Sequence, residues 1–267
     1  MFKLQNECEN IVINEEYLEL EVDVDGHLDL NISNKKDCSV FVRVKKACSI
    51  YVSVEVKEHT HCTYLIYNDN DAPLQTKEVF KVKENAILDL AVCDINQQKC
   101  SRDIKVDLIE EYATCNFKSA VLSNTEMKYQ IALTSYSANT QGKMENYGVV
   151  LENGKYYIDA IGKIEKGASG SKSHQASHAL CFASKQQATI LPQLLIDEND
   201  VEASHATTVG SIDEAQLFYM QSRGLKTEEV GALVTMGYLS FIKDVISNEK
   251  LQAYLSEEIE SKVKAIC

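Results

Sequence analysis

The sequence predicts a mainly β body over residues 1–210 followed by a small α-helical domain over residues 211–267. Three observations predict it. Apolar and polar residues alternate in short runs from Ile11 to about Thr208; polar turn-forming clusters, not helices, separate those runs; and after Gly210 the apolar spacing changes to threes and fours. Alternation sends successive side chains to opposite faces, as a strand with one buried face requires, whereas three-and-four spacing lays one stripe along a helix.

The alternation opens with Leu18, Leu20, Val22 and Val24 against Glu19, Glu21 and Asp23. It returns in residues 40–44, 50–56 and 78–82 and continues through 87–92, 104–108, 127–133 and 156–164. Asn31 to Asp37, Asn68 to Asp71 and Glu165 to Lys172 supply the Asn, Asp, Ser, Gly and Lys clusters expected of turns. Many short strands without intervening helices leave three architectures: a sandwich, a barrel or a β-helix solenoid. Only two prolines, Pro73 and Pro192, are present, fewer than the hairpins of a sandwich usually carry, and no repeat of fixed period stands out.

The helical part begins at Ser211-Ile-Asp-Glu214, which matches a capping box, and a first helix is expected through Leu217, Phe218 and Met220 to Arg223, with Gly224 as its left-handed end. A second pattern opens near Thr227 and sets Val230, Leu233, Val234, Leu239, Ile242, Val245 and Ile246 at spacings of three and four, broken by Ser247 to Glu249. A third, from Lys250 to Ala265, aligns Leu251, Leu255, Ile259 and Val263 against Glu257, Glu258 and Glu260. So short a helical domain is expected to pack on the β body or on a partner.

Composition excludes several functions. Of 267 residues, 27 are Lys or Arg and 40 are Asp or Glu, giving a net charge of −13, so the phosphates of a nucleic acid would find no basic cluster. Asn6, Glu7, Glu9, Asn14, Glu15 and Glu16 interrupt any signal-peptide core, and no run of 18 apolar residues offers a membrane span. Nine cysteines without a Cys-x-x-Cys pair read as reduced, mostly core-filling thiols, and the expected location is the cytoplasm.

Chemistry-bearing motifs are sparse. His59-Thr-His61-Cys62 would put two imidazoles on one face of a strand beside a thiol, but a tetrahedral metal site needs four ligands and no second cluster adjoins it, so surface histidines beside a buried cysteine are the better reading. His174 and His178 fall after a turn, on a strand, where their spacing is roughly 13 Å and too long for one ion. No nucleophile elbow, zinc-protease motif, phosphate loop or dinucleotide fingerprint is present, and Gly167-Ala-Ser-Gly-Ser171 is a turn entering a strand. What remains is Asp200-Val-Glu-Ala-Ser-His-Ala-Thr-Thr-Val-Gly-Ser-Ile-Asp213, with His205 where the β body meets the helices, followed by Gln216-Leu-Phe-Tyr-Met-Gln-Ser-Arg-Gly224.

This stretch resembles the signature of the SufB/SufD family of SUF iron–sulfur cluster assembly scaffolds, in its SufD-type form. Asn146-Tyr-Gly-Val-Val150, Gly162-Lys-Ile-Glu-Lys-Gly-Ala168, Ser171 with Gln175, Ala179-Leu180 with Ser184, and Pro192-Gln-Leu-Leu-Ile196 are similar words in the family's order, so the resemblance covers residues 120–267. It implies a right-handed parallel β-helix before the helical domain. It also implies a non-enzymatic scaffold that pairs with a SufB-like subunit or with itself and docks a SufC-like ABC ATPase around Phe218, Tyr219, Arg223, Gly224 and Gly237. His205 corresponds to the family's histidine ligand at the subunit interface. No stably bound cofactor is implied, only a transient iron–sulfur cluster at that interface. A neutral imidazole binds iron readily, and a lone ligand needs partner side chains to complete the shell. This chain departs from the family in carrying Ala203-Ser-His-Ala206 where Cys-Ser-His-Gly is common, and in beginning almost at once with strands. Two other classes compete: a secreted-type β-helix enzyme acting on carbohydrate through paired carboxylates, for which no motif selects a pair, and a stand-alone metal- or redox-binding protein using the cysteines.

Overall fold

The computed structural model describes residues 1–182 and 187–266, so Ser184 and Cys267 lie outside the described residues. The β body is two parallel sheets wound from one continuous solenoid. Odd-numbered strands form the first sheet: β1 (Phe2–Leu4), β3 (Tyr17–Asp23), β5 (Cys38–Lys46), β7 (His61–Asn68), β9 (Ile87–Asp94), β11 (Thr114–Ser123), β13 (Gln141–Val150), β15 (Lys172–Cys181) and β17 (Glu202–Gly210). Even-numbered strands form the second: β2 (Cys8–Ile13), β4 (His27–Asn34), β6 (Ser49–Val56), β8 (Leu74–Val82), β10 (Cys100–Leu108), β12 (Glu126–Ser135), β14 (Lys155–Ile164) and β16 (Ala188–Ile196). Each strand pairs in parallel with the strands one coil before and after it. Of the three architectures open to the alternation, this is the solenoid.

The repeat escapes the eye because its length drifts. Side chains stacked on consecutive coils are 21 residues apart at Asn10 and Asn31, 24 at Cys38 and Cys62, 27 at Ser119 and Asn146, and 31 at Asn146 and Ser177. The strands lengthen along the solenoid, from six and seven residues in β2 and β3 to ten in each of β11 to β15, the turns absorb the rest, and the pairing of β3 with β5 shifts register between Val22 and Asp23. Asn31 and Ser33, expected in a turn, instead belong to β4, where their side chains occupy the outer phase and leave Leu30 and Ile32 inside. His59 likewise sits in a turn with a positive φ of 57°, and only His61 and Cys62 enter β7, so the two imidazoles do not share a strand face.

Between the sheets lies an apolar core that includes Leu20, Leu28, Val42, Val52, Tyr64, Phe80, Leu90, Val106, Phe117 and Ile131. A second core covers the outer face of the odd-numbered sheet, where Phe41, Leu65, Tyr67, Cys93, Leu122 and Val149 meet the helical segment. That segment is α1 (Glu214–Ser222), α2 (Thr227–Leu239), a 3₁₀ stretch (Ser240–Val245) and α3 (Glu249–Ile266). The helices thus pack on the β body, and Leu251, Leu255, Ile259 and Val263 form the buried stripe of α3 as their spacing predicts. Double coverage accounts for the unbroken apolar runs Tyr64 to Tyr67 and Ala120 to Leu122, since a strand buried on both faces cannot alternate.

Two helix details differ from expectation. The α1 N-cap is Asp213, whose carboxylate accepts from the Ala215 N–H at 2.9 Å, so Ser211 does not close the capping box. The second helical pattern is not one helix: α2 ends at Leu239 and tightens into the 3₁₀ stretch, which lets Ile242 and Ile246 both reach the sheet.

Candidate functional site at the open terminal coil

Among the described residues no coil stacks beyond the last one, β16 and β17. Register decides what this leaves uncovered. On β15 the buried positions Ser173, Gln175 and Ser177 alternate with the outward His174, Ala176 and His178. β17 continues the phase: Ala203 pairs with Ser173, His205 with Gln175, and Thr207 with Ser177. His205 therefore occupies the inward-facing phase of an edge strand, yet it is exposed, because the interior it would line ends there. On β16 the inward phase is apolar, with Ile190, Pro192 and Leu194 opposite the buried Ile158, Ala160 and Gly162, and all three stay half-exposed. On its outer phase Leu191 and Leu195 are 42% and 45% exposed. An edge strand leaves one row of backbone N–H and C=O groups unpaired, so this end of the solenoid offers both hydrogen-bonding groups and apolar surface.

Beneath His205 the interior turns polar. Ser119 donates to Oδ1 of Asn146 at 2.8 Å, and Asn146 Nδ2 donates to Ser177 Oγ at 3.0 Å, a ladder climbing three coils towards Thr207. Gln175, 4% exposed, donates from Nε2 to the Gln193 carbonyl of the opposite sheet at 2.9 Å, while its Oε1 has no partner. Gly162, one of the family words, makes room here: a Cβ at that position would stand 2.6 Å from Gln175 Nε2 and 2.5 Å from Ser173 Oγ. The sequence singles out Gln175 only as a family word. Its Ser-x-Gln-x-Ser setting, polar residues at three successive inward positions of one strand, is the signal that could have found it.

The residues expected to dock the ATPase lie on α1, at its C-terminal end and on the exposed side of α2. Phe218 and Tyr219 are 73% and 58% exposed, and α1 buries none of its residues. Arg223 lies over the Tyr219 ring, 5.3 Å from its centre, and donates to its hydroxyl at 3.1 Å. Gly224 ends the helix with a φ of +95°, a conformation that glycine adopts without the clash a Cβ would bring. Gly237 is an exposed position on α2 with open space where a Cβ would stand.

Four of the other histidines have local partners, His27 among them with Ser49 and Asp29. His61 bonds Asp89 at 2.6 Å, His174 bonds Ser204 at 2.8 Å, and His178 stacks on Tyr147 with ring centres 5.0 Å apart. Eight described cysteines are free, and among them Cys38 and Cys62, register partners on β5 and β7, stand 3.6 Å apart at sulfur. The Cys62 thiol is pushed well up by its bond with Cys38 and by burial. Deeper still, Arg102 bonds both carboxylate oxygens of Asp94, at 2.6 and 2.8 Å, and also reaches Glu78, tying β10, β9 and β8 together. Burial would push the Asp94 carboxyl up, but the Arg102 charge and the bonds from Arg102 and Tyr129 outweigh it and hold it below the ordinary value. Among the described residues no three His, Cys, Asp or Glu side chains come together to hold a metal ion. Nor is any described helix long and apolar enough to cross a membrane.

Comparison with known proteins identifies the family. Residues 23–238 match the family model described as SUF system FeS cluster assembly, SufBD core domain. The iron-sulfur cluster assembly protein SufD of Bacillus subtilis (strain 168) is 34% identical over 149 residues, covering 55% of this chain and 34% of the relative. SufD of Escherichia coli (strain K12) is 23% identical over 115 residues, 43% of this chain and 27% of the relative, and SufB of B. subtilis is 26% identical over 108 residues, 40% and 23%. The chain thus spans about a third or less of the length of these relatives. With the family model matched from β3 to α2 on a two-sheet parallel solenoid, the chain belongs to the SufBD core family of SUF iron–sulfur cluster assembly.

Proposed function

We propose that this chain is a SufD-like scaffold, not a catalyst, in cytoplasmic iron–sulfur assembly. Its open terminal coil pairs with a SufB-like solenoid or with a second copy, and His205 lends one ligand to a cluster in transit at that junction. The observation that carries the reading is the placement of His205 on an uncovered edge strand, in the phase facing an interior that stops short. A single imidazole cannot hold a cluster, and among the described residues no group of three His, Cys, Asp or Glu side chains forms around it, so the remaining ligands come from the partner. The exposed Phe218, Tyr219, Arg223, Gly224 and Gly237 surface is the docking place for a SufC-like ABC ATPase, which would supply the phosphate loop this chain lacks. Eight free thiols among the described residues suit a reducing compartment.

The test is anaerobic reconstitution of this chain with a SufB-like scaffold and a SufC-like ATPase. A stable complex is expected to form and to acquire the visible absorbance of an iron–sulfur cluster. His205→Ala should leave the complex intact and abolish that absorbance. Failure to form a complex sinks the pairing, and a normally loaded His205→Ala complex sinks the ligand role.

A further inference from the structure

We infer that Gln175 is the positioning residue of His205: its side-chain carbonyl accepts one ring N–H and leaves the other nitrogen, unprotonated, facing out of the open coil. This rests on the ligand role proposed above for His205, but it makes a statement about the imidazole that holds or fails without any metal.

Four observations support it. Gln175 and His205 are direct register partners on adjacent parallel strands and occupy the same phase, so their side chains are neighbours across one strand spacing. The Gln175 amide cannot turn freely, because Nε2 is engaged at 2.9 Å by the Gln193 carbonyl; that bond also identifies Oε1 as the remaining end. Oε1 is buried and unpartnered, and a buried acceptor without a donor carries a desolvation cost that any donor in reach removes. Finally, Gly162 leaves the space the amide occupies, since a Cβ there would stand 2.6 Å from Nε2.

The register places His205 one strand spacing from Gln175, in the same inward phase as this orphaned carbonyl. The ring has no hydrogen-bond partner among the described residues and is exposed, so it samples its rotamers on the picosecond to nanosecond scale. The rotamer that donates to Gln175 Oε1 removes the unpaired acceptor and is the favoured one. A histidine that ligates a metal commonly donates its second N–H to a carbonyl or carboxylate, which selects the tautomer and aims the free lone pair. Gln175 suits such a role, being a neutral acceptor, fixed from the opposite sheet, that adds no charge beneath the ligand.

The experiment uses the full chain labelled with ¹⁵N-histidine. Long-range ¹⁵N–¹H correlation spectra report which ring nitrogen carries the proton, and His205→Ala identifies the His205 signals. One tautomer should dominate in the unaltered chain at neutral pH, and Gln175→Leu should return the ring to the mixture of a free imidazole. Mixed tautomers in the unaltered chain overturn the inference, as does a single tautomer that persists in Gln175→Leu. Should Gln175→Leu fail to fold, the spectrum of the unaltered chain decides. The ligand reading is tested separately by the cluster absorbance of His205→Ala, so either can fail while the other stands.

Discussion

Tyr67 donates its phenolic hydrogen to Oε2 of Glu258 at 2.8 Å, joining β7 to α3 across 191 residues of sequence. Lys262, one helical turn further on, reaches Asp69 at 3.1 Å, and Tyr254 packs edge-on against Phe41 and Tyr67. The last helix is therefore fastened to early coils of the solenoid, with the 3₁₀ stretch and α2 on later ones. Tyr67→Phe should lower stability by on the order of 1 kcal/mol, the net worth of a hydrogen bond to a charged acceptor less what water restores. Chemical denaturation measures it, and hydrogen exchange should show the loss concentrated in α3.

The apolar stripe holds α3 more firmly than its polar contacts. Leu255 is fully buried between helix and sheet. Leu255→Ala should cost about 2–5 kcal/mol through lost burial and the cavity left behind, several times the effect of Tyr67→Phe. Equal effects from the two substitutions would show that the polar clasp, and not burial, seats the helix.

Asp69 makes that seating sensitive to acid. Burial alone would raise its carboxyl, but the hydrogen bonds from Lys45, Arg43 and Lys262 outweigh it and hold the group at about 2, against 3.8 for the free side chain. Because the folded value is the depressed one, the contribution is present in full above pH 3.8 and is lost as pH falls towards 2. Asp69→Asn should melt below the unaltered chain at neutral pH, and the gap should close as the pH is lowered through that window.

Inside the solenoid, Arg102 is 1% exposed and neutralises Glu78 on the neighbouring strand β8 and Asp94 on β9 of the opposite sheet. Arg102→Met removes the cation and leaves Asp94 and Glu78 buried without it, which should cost about 3–5 kcal/mol. Replacing all three charged residues by apolar ones of similar volume should restore much of the loss. Denaturation midpoints of the single and triple variants check this.

At the open coil, Leu191 and Leu195 lie on the surface of an edge strand. Leu191→Glu with Leu195→Glu should leave the melting temperature within about a degree or two, since neither side chain is buried, and should weaken association with a partner scaffold roughly tenfold or more. Sedimentation of the mixed proteins distinguishes lost pairing from lost folding.

Much of this protein is legible in its sequence. Period two in Leu18 to Val24 and its successors dictates strands, and the three-and-four spacing of Leu251, Leu255, Ile259 and Val263 dictates α3, because each pattern is a local consequence of backbone geometry. The ordered words from Asn146 to Gly224 mark the family and point to His205. The choice of a solenoid over a sandwich is not local: coils whose length drifts from 21 to 31 residues share no period, and only strand pairing reveals them. Nor can the sequence place Gln175 under His205, Gly162 beside that amide, or Glu258 against Tyr67. Each of those contacts joins residues from separate strands or helices, brought together by stacking and burial, so the tertiary structure alone decides them.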